Sequence, residues 1–377
     1  MPLYYPNLFA TWRLRSRSLA ANSVLNALSV IKVLYAWETE VGIDLESFFS
    51  RGEVLAEPQV RELCDFLQHT VPSYRRSLPV TRTHGRRRAV CSSNYYFRLT
   101  ISANYLGFLA SRLRANGQSD SDAEAMVEMI KAGRPSKPSN SVLDRDERHL
   151  DDAVVDLVLA ALKPNSENNP ARDYAVKLRN MLMFMILHAT GLRRGELLNL
   201  KIDDIDFLQG TLRVVRRPDS TGDVRVHQPT AKTRQRTIPL LSELISHIHD
   251  YVLRHRRKFP AAKSHGYLFI THKEGPTQGL PLSVSAFQKW MRTIASISEG
   301  SGLHAHALRH HWNYLFSKMM DAERVSPQRE EKIRSYLMGW KETSGTAAIY
   351  NGRHIKKQAA EAVLSLQGRY LKGARED

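Results

Sequence analysis

His188-Ala189-Thr190-Gly191-Leu192-Arg193-Arg194-Gly195-Glu196-Leu197 closes one helix and opens another. Upstream, an apolar run from about Val176 to His188 reads as a long helix, and Thr190-Gly191 ends it, because glycine takes the left-handed backbone conformation at little cost. A second helix is then predicted to carry both Arg193 and Glu196. Three positions apart, they share a helix face, so the carboxylate can orient the guanidinium.

Downstream the pattern becomes mixed. Thr211-Leu212-Arg213-Val214-Val215 alternates and is rich in β-branched residues; Val224 to His227 is predicted to pair with it, and Arg236-Thr237-Ile238-Pro239-Leu240 reads as a third strand ending in proline. A small antiparallel sheet follows, with Lys232 near a turn. Leu241, Leu244, Ile245, Ile248 and Val252 mark an amphipathic helix, and the rest of the chain is again helical. Ser326-Pro327 has the form of a helix start and Gly339 of a helix stop.

Upstream, Gly133-Arg134-Pro135-Ser136-Lys137-Pro138-Ser139-Asn140 has two prolines and no apolar residue, the composition of a linker. The domain boundary is placed between about 134 and 148, with one domain over 1–140, a linker end at 141–149 and a second domain over 150–377. Before the linker, Leu25, Leu28, Ile31, Val33, Leu34 and Trp37, and again Tyr96, Leu99, Ile101, Tyr105, Leu106, Phe108 and Leu109, recur at helical spacing. The N-terminal domain is therefore expected to hold about four helices, with residues 1–19 as a leader open to use as an arm. Between its helices lie Arg75, Arg76, Arg82, Arg86, Arg87 and Arg88, which fit a solvated basic loop and phosphate contacts about equally well.

Composition sets the outer bounds. A chain of 377 residues is long enough for two cores. Its net charge of +17 suits a polyphosphate partner such as nucleic acid, with a solubilising charge or an anionic membrane surface as the alternatives. The two cysteines, Cys64 and Cys91, form no disulfide framework or zinc motif and read as small core residues of a protein in a reducing compartment. Trp12-Arg13-Leu14-Arg15-Ser16-Arg17 breaks any secretory leader, and Met181 to Leu187, the longest apolar run, is too short to span a bilayer. The expectation is a soluble cytoplasmic protein with no membrane partner.

Chemistry narrows this further. Attack on a phosphodiester builds charge on two non-bridging oxygens, and donors aimed there supply roughly 3–4 kcal/mol each. Two arginines can clamp such a pair through their planar forks. A lysine can protonate the leaving oxygen, and a tyrosine can attack once surrounding positive charge offsets its high pKa. Such a reaction needs no metal and no cofactor. Arg193, Lys232, His306, Arg309, Trp340 and Tyr350 supply those residue types, and His306-Ala307-Leu308-Arg309-His310 repeats the three-residue spacing of the first box. Lys201, Lys263 and Lys273 compete with Lys232; His304, His310 and His311 with His306; Tyr314 and Tyr336 with Tyr350. Trp340 also fits a core position.

From about Leu150 to its C-terminus the chain resembles the tyrosine recombinase (phage integrase) family. Thr190-Gly191-Leu192-Arg193 through Leu197 matches the segment holding that family's first catalytic arginine, with Glu196 as its supporting acid. Ala231-Lys232-Thr233 through Leu240 resembles the β-hairpin lysine and the strand after it, His306 and Arg309 match the HxLRH box with His310 in support, and Leu337-Met338-Gly339-Trp340 and Thr346-Ala347-Ala348-Ile349-Tyr350 resemble the last two motifs. Two departures stand out. Trp340 occupies a position where most members have histidine, and indole donates a hydrogen bond but shuttles no proton. The loop Lys341 to Gly345 is also slightly long, which reads as an insertion.

The resemblance implies a mainly α fold with a small antiparallel β-sheet in the catalytic domain, arranged as a two-domain DNA clamp. It implies a site-specific DNA recombinase for a mobile element, working through a 3′-phosphotyrosine on duplex DNA as a homo-oligomer, a tetramer in synapsis, with accessory proteins or a second recombinase as further partners. Arg75, Arg76, Arg86, Arg87 and Arg88 are the expected DNA contacts, in a bacterial cytoplasm. A helix over about 355–367, with Ile355, Ala359, Ala362, Val363 and Leu366 on one face, would dock on its own domain or on a neighbouring protomer. A type IB topoisomerase-like or hairpin-resolving enzyme, or an inactive DNA-binding protein, are the alternatives.

Overall fold

The structure is a computed structural model that describes residues 3–15, 21–70, 88–113, 121–136, 149–217, 222–225, 228–229, 233–341, 347 and 352–373. It divides into two compact units, Met1–Asn140 and Ser141–Asp377.

The first unit is helical, with α1 (Tyr4–Leu8), α2 (Ala21–Val41), α3 (Leu45–Ser50), α4 (Glu57–Gln68), α5 (Ser92–Leu113) and α6 (Ser121–Ala132). Apolar positions at helical spacing explain the long ones: Ala27, Ile31, Leu34 and Trp37 of α2, Val60, Leu63 and Leu67 of α4, and Leu99, Leu106 and Leu109 of α5 are buried in one cluster. The leader is not a detached arm over its described part. A π-helical turn follows α1 from Phe9 to Arg15 and buries Phe9 edge-on against Tyr105, while Arg112 lies 4.1 Å over the Trp12 ring. Cys64 is half-buried, but Cys91 is exposed beside Ser93, so the core role expected of it does not hold. Of the basic loop, Arg88 is described and exposed; Arg75, Arg76, Arg82, Arg86 and Arg87 lie outside the described residues.

The second unit is built around α8 (Tyr174–Thr190), which follows α7 (Asp152–Leu162). Asp173 caps α8 by accepting from the Val176 amide at 2.9 Å. Residues Leu178 through Phe184, then Ile186 and Leu187, are buried, so α8 lies inside the domain rather than on its surface. Gly191 ends it at φ 62, and α9 (Arg194–Leu198) begins three residues later.

A three-stranded antiparallel sheet follows in the order β1 (Ile205–Asp206), β2 (Thr211–Val214), β3 (Arg236–Pro239), with Leu212 paired to both Ile205 and Ile238. The strand expected over Val224–His227 is absent from its described part. There Arg225 is buried and its guanidinium bonds Asp223, the Leu198 carbonyl and the Leu282 carbonyl, so side chains rather than a ladder anchor the segment. The outer strand comes instead from Ile205–Asp206.

Helices complete the domain: α10 (Ser242–Asp250), α11 (Val284–Ala295), α12 (Ala305–Ala322), α13 (Pro327–Met338) and α14 (Gly352–Gly373), the last longer than the stretch expected. The molecule is thus mainly helical with one small antiparallel sheet. No helix among the described residues is long and apolar enough to cross a membrane.

Candidate active site

Gly191 and Gly339 bring the motifs together. Both hold left-handed backbone, at φ 62 and 65, at the ends of α8 and α13. A Cβ on Gly191 would meet Met338 Cε at 2.9 Å and the Trp312 ring at 3.1 Å, and one on Gly339 would meet Arg236 Nη1 and Thr233 Cβ at 2.8 Å. Each glycine is therefore needed twice, for the turn and for the close approach.

Arg193 does not sit within a helix, as the spacing predicts, but just ahead of α9 in extended conformation at φ −73 and ψ 151. Glu196, in the first turn of α9, reaches back so that Oε2 accepts from the Arg193 amide at 3.0 Å. The Arg193 side chain is then half-buried, with Nη1 3.5 Å from Glu196 Oε1. The expected partnership holds, through the geometry of a helix start rather than a shared face.

Glu196 is the hub. Its side chain has no exposure, and besides Arg193 it accepts from Arg236 Nη2 at 2.9 Å and from the Thr233 hydroxyl. Burial pushes its carboxyl toward the neutral form, but the Arg236 charge, the hydrogen bonds from Arg236 and Thr233, and the Arg309 charge outweigh it and hold the group below its ordinary pKa. Glu196 is therefore an anion in the interior, with guanidinium groups around it.

Arg309 lies on α12 and is 2 % exposed. Its Nη1 donates to the Gly191 carbonyl at 2.6 Å and its Nη2 to the Met338 carbonyl at 3.2 Å, which joins the segment of Arg193 to the segment of Trp340. Its Cζ stands 5.4 Å from the centre of the Trp340 ring. Trp340, 8 % exposed, forms a small core with Met338 and Ala347, backed by Trp312 and Leu337. The two readings of Trp340 therefore meet: it is a core residue and it borders Arg309.

His306 is exposed one turn before Arg309, and the His310 ring meets it edge-on at 4.4 Å. His311, the next residue, packs in the interior: it is 1 % exposed and has Nδ1 3.1 Å from the Leu150 carbonyl. His310 itself is half-buried. Of the rival tyrosines, Tyr314 stacks on His149 at 3.7 Å and Tyr336 is exposed on α13. Lys232 and Tyr350 lie outside the described residues; their flanks, Thr233 and Ala347, are both buried.

Arg236 and Thr233 were not singled out by the motifs. A signal for Arg236 exists in the strand itself: it alternates with Ile238 on the buried face of β3, and a buried arginine needs a carboxylate. Among the described residues, one group has metal-ligand proximity: Asp321, Glu330 and His354. There Glu330 is fully buried, ion-paired to Arg334 and 2.9 Å from His354 Nε2, so the group works as a clasp between α13 and the start of α14.

Comparison with known proteins agrees with this architecture. The chain is similar to the tyrosine recombinase XerD of Halalkalibacterium halodurans, 28% identical over 144 residues, which cover 38% of this chain and 42% of that protein. It is also similar to Transposase A from transposon Tn554 of Staphylococcus aureus, 32% identical over 133 residues, covering 35% of this chain and 34% of the relative. It thus spans less than half the length of these curated relatives. Among solved structures, the Tn1549 transposon integrase in complex with transposon right end DNA shares the fold, with a TM-score of 0.53 at 14% identity over 95% of this chain and 100% of that one. The model of the phage integrase family matches residues 149–356, more than half of the sequence and all of the segments that surround Glu196. The chain belongs to the phage integrase family, the tyrosine recombinases.

Proposed function

We propose that this protein is a site-specific DNA recombinase that cuts and rejoins duplex DNA for a mobile element. The observation that carries the reading is the buried carboxylate of Glu196, which gathers Arg193, Arg236 and Thr233, the residue after Lys232, within the field of the Arg309 charge, while Arg309 itself borders Trp340. In this reading the Arg193 and Arg309 guanidinium groups take the non-bridging oxygens of one phosphate, and their charge favours the tyrosinate over the neutral phenol. The Tyr350 oxygen attacks phosphorus, a 3′-phosphotyrosine bond forms, and the bond to the 5′ oxygen breaks. Lys232 gives that oxygen its proton, and His306 supports the scissile phosphate. Attack by a 5′-hydroxyl of a partner strand reverses the step, so bond energy is conserved without a cofactor.

Duplex DNA as the partner is supported by the +17 charge and by the DNA-bound neighbour of the same fold. In this reading Arg75, Arg76, Arg86, Arg87 and Arg88 contact phosphates, and the protein acts in the bacterial cytoplasm. The exposure of Val363 and Leu364 on α14 supports assembly with further copies on DNA, as a tetramer in synapsis. The test is incubation with a nicked suicide duplex in EDTA. A covalent protein–DNA adduct is expected, and its loss in Tyr350→Phe. No adduct from the native chain, or an adduct that survives that substitution, overturns the proposal.

A further inference from the structure

Arg236 spans three of the segments that build the site. It is 4 % exposed at the start of β3. Its Nη2 donates to Glu196 Oε2 at 2.9 Å, its Nη1 to the Thr233 hydroxyl at 3.2 Å and its Nε to the Leu337 carbonyl at 2.6 Å. Those acceptors belong to α9, to the stem that follows Lys232, and to the end of α13 just before Gly339 and Trp340. A second bond runs beside it, from the Arg234 amide to the Gly339 carbonyl at 3.0 Å. Only a planar fork with five donors makes all three contacts from one buried side chain.

The distances around Glu196 assign a role. The carboxylate is buried and ionised, so it must be neutralised from nearby. Arg236 does so at hydrogen-bond distance, whereas the Arg193 side chain keeps a longer contact of 3.5 Å. Without Arg236, Glu196 would lose its nearest cation and draw the Arg193 side chain into a closer ion pair.

We propose that Arg236 is a positioning residue: it takes up the charge of Glu196 so that Arg193 faces the scissile phosphate, and it holds the Lys232 stem against the segment carrying Trp340. This rests on the phosphodiester chemistry proposed above.

The experiment measures single-turnover formation of the Tyr350 adduct, with DNA affinity measured separately, for the native chain, Arg236→Lys, Arg236→Gln, Glu196→Gln and the Arg236→Gln/Glu196→Gln pair. Circular dichroism establishes that each variant is folded at the assay temperature. Arg236→Gln is expected to slow cleavage about 100-fold, the cost of a misplaced reacting group, with DNA affinity within about twofold of native. Adding Glu196→Gln should then raise the rate about tenfold above Arg236→Gln alone, because the charge that captures Arg193 has gone. A merely structural role does not predict that recovery. If Arg236→Gln does not fold, the same comparison is made with Arg236→Lys, which keeps the charge but loses the fork and should cleave about tenfold more slowly than native. Native rates in the Arg236 variants, or a double variant slowed by the product of the two single losses, overturn the inference. Absence of an adduct from the native chain overturns the recombinase reading instead, so the two failures are distinct.

Discussion

Arg309 donates to the carbonyl of Gly191 at 2.6 Å across 118 positions of sequence. The same guanidinium reaches Met338, so one side chain joins the end of α8 to the end of α13. Arg309→Lys is expected to remain folded, because an ammonium can still meet one carbonyl, but to lose the planar fork that matches a phosphate. Adduct formation should fall by about 100-fold or more, the usual cost of losing a donor to developing charge, while DNA affinity changes little. Equal losses in affinity and rate would show that Arg309 serves binding alone.

The two glycines make a prediction about stability. Gly191→Ala forces a side chain into left-handed backbone, which costs roughly 1–2 kcal/mol, and presses its Cβ on Met338 at 2.9 Å. Met338 has a flexible end and can give way. Gly339→Ala has less room, since its Cβ would lie 3.0 Å from the Arg234 carbonyl oxygen as well as against Arg236. Urea denaturation should therefore rank Gly339→Ala as the more destabilising, by about 1 kcal/mol or more over Gly191→Ala. The reverse order would contradict this account of the approach.

Both glycines were legible in the sequence because a helix stop has a local cause. So were Arg309, from its spacing to His306, and the mainly helical fold with its small sheet, from apolar periodicity. Other features have partners that no local pattern displays. The contacts of Arg236 lie 40 and 101 positions away, and its lining of the site appears only when those segments meet. Arg193 looks helical because a glutamate three residues on also marks a shared helix face; at a helix start the same spacing instead caps the backbone. The segment at Val224 alternates like a strand, yet Asp223 and Arg225 anchor it by side chains. In each case a short-range pattern had two solutions, and burial of a charged group chose between them.

Acid should weaken the fold through histidines buried in neutral form. Burial, and then the charge of Arg179, lower His272 to about 4, with Tyr251 Oη 3.0 Å from its Nε2. An unfolded histidine titrates near 6.5, so between about 4 and 6.5 the unfolded chain binds a proton that the folded chain does not. Stability therefore rises with pH across that window and is lost as pH falls through it, by about 3 kcal/mol from this group. His188, His265 and His311 are lowered as well and add to the same slope. Urea midpoints at pH 4.5 and pH 7 should differ less in His272→Asn than in the native protein. Identical differences would exclude His272 as a source of the slope.

The clasp at the start of α14 links stability to cleavage. His354 Nε2 lies 2.9 Å from Glu330 Oε2, and Glu330 is ion-paired to the buried Arg334, which in turn bonds the side chain and the carbonyl of Asn313 on α12. His354 follows Tyr350, the proposed nucleophile, by four positions in the sequence, and the contact anchors the start of α14. His354→Ala should lower adduct yield and speed amide exchange in the first turns of α14, at a cost of about 1–3 kcal/mol for a hydrogen bond to a charged group. Unchanged exchange there would remove the clasp as an anchor.

Beyond that clasp the described side chains of the helix are exposed. Val363 is 50% exposed and Leu364 66%, and every side chain described from Gln358 to Ser365 is exposed. A helix that docked fully on its own domain would bury such residues, so coverage by a second copy is the expected use of this face. Val363→Asp with Leu364→Asp should therefore leave binding of one protomer to a half-site within about twofold, since the site around Glu196 is untouched, while each buried aspartate would cost the assembly several kcal/mol. Native electrophoresis on a full duplex site should then show single-protomer complexes and few higher ones, with adduct formation on a half-site duplex retained. Higher complexes at native abundance would mean that α14 is not the contact between copies, and loss of half-site binding would place its role within the protomer.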